Sequence, residues 1–423
     1  MARFDVAVVG AGLGGLTLAS ILQKHGVKVT IYERETSSIS RDQGGTLDIH
    51  AESGQHALEL AGLTEAFLKI ANPEGDEMKI IDQNGIVAYD ESDSPEGGPQ
   101  HGFPVGGPPG NGPPHEGPPG EGPPRHDRPE VDRGQLRQIL LDTLAPGTVK
   151  WGHTLSSCKL IGNKVELQFS EPKLTTTVDI LVGADGTWSR VRSMLSSAKP
   201  EYTGVTFVDI QLTDVDKKLP ELASLVGKGS LLALGDNRGL IAQRNSGSRI
   251  RVYVALRSSI TWGEESGITE LVKAGKFSDV QKFILSEFLE WSPSVLKLIS
   301  SCDVQTSTFA VRQLFSLPST HSWKTNGRVT LIGDAAHVMS PFAGEGANLA
   351  MLDGAELAEA IATSKDESTL KANIEAFEIG MLARSKDASE ESLGNQNLFI
   401  SENGAKAAAD RMNFYMSQGA PPV

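Results

Sequence analysis

Apolar positions along the chain fall into blocks of changing period. Val6 to Val9 form a short unbroken apolar run, the pattern of a buried parallel strand. Leu16, Ala19, Ile21 and Leu22 then recur at helical spacing, and Val27 to Tyr32 form a second strand-like run. Helical periodicity returns over residues 52–71 through Ala57, Leu60, Ala61, Leu63, Phe67 and Leu68. Met78 to Ile81 and Ile86 to Tyr89, with Asn84-Gly85 between them, predict a β-hairpin. A stripe at Leu136, Ile139, Leu140 and Leu144 predicts a helix. Strand runs follow at Val149 to Trp151, Ser157 to Ile161, Lys164 to Phe169 and Thr175 to Leu181. Residues 204–257 are strand-rich, with alternation from Arg249 to Leu256, and residues 276–300 are helical. A last buried strand at Val329 to Ile332 precedes helical patterning from Gly346 onwards. Strands and helices interleaved in this way predict an α/β fold.

One stretch breaks the pattern. Between residues 91 and 130, Gly-Pro-Pro recurs at 107, 112, 117 and 122, a five-residue period. Collagen requires glycine at every third residue, so a triple helix is excluded. Too few apolar groups are present to offset the entropy of ordering, and an exposed insertion of polyproline II character is expected.

The first turn carries chemistry. Gly10, Gly12 and Gly15 follow the first strand in G-x-G-x-x-G spacing, with Gly14 inside the loop. Such glycines permit a tight turn, close approach of a pyrophosphate, and close packing of helix on strand. Phosphates then sit at the helix N-terminus. Glu33 ends the second strand, where a carboxylate can accept hydrogen bonds from a ribose. This much predicts a dinucleotide site and leaves NAD, NADP and FAD open.

Two later motifs each place an aspartate at the end of an apolar strand, where ligands bind in open α/β sheets. One is Asp179-Ile-Leu-Val-Gly-Ala-Asp185-Gly186, and the other is Gly333-Asp334-Ala-Ala-His337 leading to Pro341-Phe-Ala-Gly344-Glu345-Gly346-Ala347. No second G-x-G-x-x-G occurs, and Cys158 and Cys302 form no C-x-x-C pair, which argues against a two-nucleotide-fold disulfide reductase and against a zinc site. A net charge of −14 without a basic run argues against nucleic acid and anionic membrane surfaces as partners. No apolar run reaches the ~18 residues of a membrane span. Arg3 before an apolar stretch has the look of a signal peptide, but its glycines belong to the phosphate loop. A cytoplasmic monomer is the expectation.

Together these motifs resemble the single-component aromatic hydroxylases, FAD monooxygenases of the para-hydroxybenzoate hydroxylase type, and within them the tetracycline-inactivating enzymes. Gln43-Gly-Gly-Thr-Leu-Asp48-Ile-His, Asp132-Arg133-x-x-Leu-Arg137 and Pro341-Phe-Ala-Gly-Glu-Gly carry the likeness. The resemblance implies a Rossmann-like, discontinuous FAD-binding domain, a strand-rich substrate domain and a helical C-terminus. It implies FAD and NADPH as cofactors, and transfer of one oxygen atom from O2, through a flavin C4a-hydroperoxide, to a small aromatic or polyketide-like molecule. Secondary metabolism or modification of an antibiotic or other xenobiotic is the implied setting. Glu33 would hold the adenosine ribose, with Arg34 near the adenine. Arg133 and Arg137 would serve the pyrophosphate region, Asp334 the ribityl hydroxyls, and Asp48 would face the cofactor. Gly344, Glu345, Gly346 and Ala347 would open a helix towards the isoalloxazine. Arg41 matches a position linked to NADPH, and Asp185 shapes the sheet with an NADPH role left open. His337 is expected to be a packing residue rather than a base.

Departures from the family pattern are also visible. Glu345 stands where the nearest relatives carry glutamine, so it is expected to point away from the flavin or to be paired. Positions that grip tetracycline fall on Asp209, Ser230 and Arg251, whereas Phe342 and Gly344 match. Asp209, Arg251 and Phe342 are the expected substrate contacts, with ordinary strand-surface roles as the alternative for the first two. The FAD domain is expected from residues 1–75, 131–195 and 326–370. The hairpin and insertion would occupy 76–130, the substrate domain 196–325 and a helical segment 371–423. A reductase working without oxygen incorporation, a flavin halogenase (its W-x-W-x-I-P signature is missing) and a silent binding protein are the rival classes.

Overall fold

Strand Asp5–Val9 lies at the centre of a five-stranded parallel sheet in a computed structural model that describes residues 4–40, 44–91, 128–304 and 309–418. Arg41, Gln43 and the Gly-Pro-Pro repeats lie outside the described residues. Across this sheet the strands run Val329–Leu331, Ile180–Gly183, Asp5–Val9, Lys28–Tyr32 and Val149–Lys150. Val6 pairs with Ile180 on one side and Val29 on the other. The central strand is buried on both faces, which is why it reads as a continuous apolar run rather than an alternating one. Its five strands come from three stretches of chain separated by other structure.

The second sheet has seven strands in the order Ala310–Ser316, Glu201–Leu212, Arg249–Arg257, Arg238–Asn245, Ser230–Gly235, Met78–Ile81 and Val87–Asp90. The hairpin joins its edge through parallel pairing of Met78 with Ser230. Period-two alternation divides its faces. Val252, Val254 and Leu256 face a helical layer that includes Phe288 and Trp291. Ala255 and Phe207 face the other way, into a cluster with Phe342, Phe399 and Ile400. Helices Glu367–Phe399 and Gly404–Gln418 brace that second face.

Two expectations change. Thr175 to Leu181 is two strands, Leu174–Val178 in a three-stranded antiparallel sheet and Ile180–Gly183 in the parallel one. The break falls at Asp179, whose carboxylate accepts a hydrogen bond from the Asp5 N–H at 2.9 Å. The helical stretch after residue 52 is also segmented. A π-helical turn at Ala51–Gln55 runs into helix His56–Ala61, which ends at Gly62 with φ +77°, a conformation that suits glycine as a helix terminator.

Candidate active site

The glycine loop is held by close backbone packing. Gly10 has φ +110°, and a Cβ there would lie 2.1 Å from the Ala184 carbonyl oxygen. A Cβ on Gly15 would lie 2.3 Å from the Gly10 oxygen. Over Gly12, by contrast, a Cβ would meet no atom within 4 Å, so the space above the loop is open. Helix Leu13–Lys24 begins there with no side-chain cap and no acid in its first turn. An open approach to uncapped N–H groups is what a pyrophosphate requires, so these residues fit FAD. Glu33 is buried at the next strand end and accepts from the Ala11 N–H at 2.7 Å and the Glu35 N–H at 2.9 Å. Arg34 beside it is exposed.

Arg137 works behind the loop. It is buried and donates through Nε to the Ala11 oxygen at 3.0 Å and through Nη1 to the Ser38 oxygen at 2.9 Å, with Glu35 at 3.5 Å. The structure therefore places its guanidinium as a brace for the loop backbone. Arg133 is exposed at the start of helix Arg133–Asp142, its N–H donating to the Gly45 oxygen at 3.1 Å. Arg137→Ala is expected to cost about 2–3 kcal/mol, since buried acceptors are left unpaired. FAD should bind more weakly by on the order of tenfold, as the loop loosens. Urea denaturation and titration of the apoprotein with FAD measure the two effects.

The two aspartate motifs differ in role. Asp185 is a local cap, accepting from Ser189 Oγ at 2.5 Å and the Arg190 N–H at 2.7 Å. Asp334 is exposed at the first position of the short helix Asp334–His337, directly after strand Val329–Leu331. His337 is buried and its Nε2 lies 2.7 Å from Asp353, which also accepts from the Gly333 N–H at 2.9 Å. Burial lowers the His337 pKa, but Asp353 outweighs it and the net shift is upward. This contact ties the Asp334 turn to helix Glu345–Ala362.

That helix has no side-chain cap, starts after Gly344 at φ +73°, and leaves open space over Gly346. Ala347 is half-buried in its first turn. Glu345 is buried, and its Oε1 lies 3.4 Å from His50 Nδ1. His50 is fully buried and donates from Nε2 to Asp48 Oδ2 at 2.8 Å. Burial alone would depress the imidazole, yet the Asp48 and Glu345 carboxylates carry its pKa up to about 10. An imidazolium thus sits between two carboxylates. Asn348 fixes their spacing, donating to the Asp48 carbonyl at 2.9 Å and accepting from the His50 N–H at 3.0 Å. His50 closes the Gln43-to-His motif, and nothing in that motif marks it as a charge partner.

Beside Gly344 and Asp48 opens a cavity of about 130 Å³ between the seven-stranded sheet and the start of this helix. Phe342, Leu232, Ile241, Met78 and Phe399 give it apolar walls. Ser230, Gln243 and Glu130 add polar ones. Phe342 meets Phe207 and Phe399 edge-on, at centroid separations of 5.9 and 6.2 Å. Asp209 and Arg251 are not among the lining residues. Both are buried rather than on a strand surface, paired at 3.1 Å, with Arg312 Nε also 2.8 Å from the Asp209 carboxylate. Gly45 packs against the Arg251 side chain: a Cβ there would lie 3.4 Å from Arg251 Cδ and 2.6 Å from the Tyr253 hydroxyl. Asp209 and Arg251 thus form a buried ion pair beneath the Gly44-Gly45 loop instead of lying on a strand surface, and Phe342 lines the cavity. Glu130 is a residue that sequence reasoning missed, because it stands at the far end of the proline-rich insertion.

A family model described as an FAD binding domain matches residues 3–270 and 301–392. The chain belongs to this FAD-binding family. It is 28% identical to Monooxygenase asqM of Emericella nidulans, over 95% of this chain and 97% of that protein. With 3-amino-4-hydroxybenzoate 2-monooxygenase PtmB3 of Streptomyces platensis the identity is 27%, over 84% of this chain and 79% of that one. Among solved structures, HpxO of Klebsiella pneumoniae complexed with FAD and uric acid aligns at TM-score 0.70 and 17% identity, covering 98% of this chain and 92% of that one. The tetracycline destructase Tet(51) aligns at 0.64 and 18%, covering 99% and 96%. The protein is an FAD-dependent monooxygenase, an oxidoreductase of the para-hydroxybenzoate hydroxylase type. Among the described residues no helix is long and apolar enough to cross a membrane.

Proposed function

We propose that this monooxygenase consumes NADPH and O2 to oxygenate a small aromatic or polyketide-like molecule, in secondary metabolism or in modification of an antibiotic or other xenobiotic, as a cytoplasmic monomer. The observation that carries the reading is the meeting of an apolar, aromatic-walled cavity with the uncapped N-terminus of helix Glu345–Ala362 at Gly344. When bound, FAD supplies the activation of O2, one atom of which goes to the substrate and the other to water. The protein's part is to bind, orient and exclude water. In this reading Gly10, Gly12, Gly14 and Gly15 shape the pyrophosphate loop, braced by Arg137, and Glu33 and Arg34 serve the adenosine end. Arg133 and Asp334 serve the ribityl region. The free N–H groups of Gly346 and Ala347 offset negative charge on the reduced ring. Asp48 and Glu345, each in contact with His50, keep one positive charge between two negative ones, so neither carboxylate faces the ring as a bare anion. The FAD domain then comprises residues 1–75, 131–195 and 326–370, with the substrate domain at 196–325, the hairpin and insertion at 76–130, and a helical segment at 371–423. Arg41, outside the described residues, is assigned to the approach of NADPH, and Asp185, which caps its own turn, shapes the end of the sheet.

Isotopically labelled O2 tests this. One labelled atom is expected in the product per NADPH oxidised at full coupling. A product reduced without label would replace the oxygenase reading with that of a reductase.

A further inference from the structure

The cavity's polar wall has a composition that constrains what it can hold. Asp48, Asp76, Glu77 and Glu130 line it, against the single guanidinium of Arg128 among the lining residues. Glu130 Oε2 is buried with no hydrogen-bond partner. A buried acceptor without a donor costs free energy until a ligand supplies one. The opposite wall is hydrocarbon and aromatic, with the Phe342 ring at its centre. At about 130 Å³ the space is close to the ~150 Å³ cavity that accepts benzene.

We propose that the substrate is a small arylalkylamine, its nitrogen carried on an alkyl carbon and so protonated, bound with its ring against Phe342, Leu232 and Ile241 and its ammonium against Glu130 and Asp48. This rests on the cavity being the substrate site of the monooxygenase. An aryl carboxylate would be buried beside the Asp48, Asp76 and Glu77 side chains with the Arg128 guanidinium to offset them, and a ring without a donor would leave Glu130 Oε2 unpaired.

The charges around Glu130 come from every neighbouring element. Asp48 and His50 lie on the strand paired with it and just beyond, Asp76 and Glu77 precede strand Met78–Ile81, and Arg128 is on its own segment. Burial, then the Asp48 charge, push the Glu130 carboxyl up to about 8. A bound ammonium reverses that shift, so binding releases a proton and tightens as pH rises through about 8. A bound carboxylate does the opposite.

The test uses the FAD-loaded full chain and three probes sharing one ring: phenethylamine, 2-phenylethanol and phenylacetate. Binding is read by calorimetry and by perturbation of the flavin absorbance. The amine is expected to bind tightest and the acid weakest. Between one pH unit below and one above the Glu130 pKa, the amine's Kd should tighten by up to about tenfold. Glu130→Gln, with flavin content unchanged as evidence of folding, should flatten that response. Equal or tighter binding of phenylacetate, no binding of any probe, or a pH response that survives in Glu130→Gln would overturn the assignment. Oxygen labelling keeps the two readings apart. A carboxylate that acquires label sinks the amine assignment and leaves the monooxygenase standing, whereas amine binding without any labelled product from any substrate does the reverse.

Discussion

Replacing Gly14 by valine is expected to yield protein that purifies with little or no flavin. Helix Leu13–Lys24 and helix Glu345–Ala362 approach so closely that a Cβ on Gly14 would lie 2.4 Å from the Ala350 carbonyl oxygen. The contact is reciprocal, because a Cβ on Gly354 would lie 2.5 Å from the Gly14 oxygen. Backbone, not a flexible side-chain end, occupies the space, so the helices must separate. Overpacking of this kind costs about 1–3 kcal/mol and sometimes more. Both uncapped helix N-termini move with it. We expect a drop in thermal midpoint of roughly 1–3 °C, together with loss of bound FAD. Gly12→Ala supplies the contrast. Its Cβ meets no protein atom within 4 Å, so the midpoint should stay put while FAD affinity falls. Equal thermal losses in the two variants would refute this division between packing and ligand contact.

His50→Leu is the second large effect. It removes the cation from between Asp48 and Glu345 and leaves a buried carboxylate uncompensated, a change that typically costs 3–5 kcal/mol. The pH dependence follows from the raised imidazole pKa. The ion-pair contribution is full below the ordinary histidine value of about 6.5 and is lost as pH rises towards about 10. Over that interval the folded chain holds a proton that the unfolded chain has released, so stability falls with pH. Urea denaturation near pH 6 should therefore show the largest gap between wild type and variant, and the gap should narrow towards pH 10. Adding Glu345→Gln to His50→Leu should recover part of the loss, since one of the two stranded charges is gone. A gap that widens with pH would exclude an imidazolium at this position.

Much of the parallel sheet is legible in the chain, because strands buried on both faces carry unbroken apolar runs and the glycine loop must follow the first of them. Glu345 illustrates a partial success. Its mismatch with an anionic ring implied a partner, but nothing local pointed to His50, which is far away in sequence. Asp209 and Arg251 show the limit more sharply. An alternating strand such as Arg249–Arg257 predicts that polar positions face water, yet here the second face is covered by Phe342, Phe399 and the Gly44-Gly45 loop. Burial then depends on which distant segment lands on the sheet, which periodicity does not encode. Cavity composition is hidden for the same reason: Met78, Glu130, Ser230 and Phe399 belong to four separate stretches of chain.

Threading the parallel sheet through three stretches of sequence also dictates when the protein can be completed in the cell. The first helix and its glycine loop emerge early, but their partner, Glu345–Ala362, starts about 330 residues later, a delay of roughly 20–70 s at ordinary rates of synthesis. Strand Ile180–Gly183 likewise waits for Val329–Leu331 with one edge unpaired. The whole seven-stranded sheet, apart from the hairpin at its edge, is synthesised within that wait. The substrate half can therefore assemble while the flavin half is still an incomplete template on the ribosome.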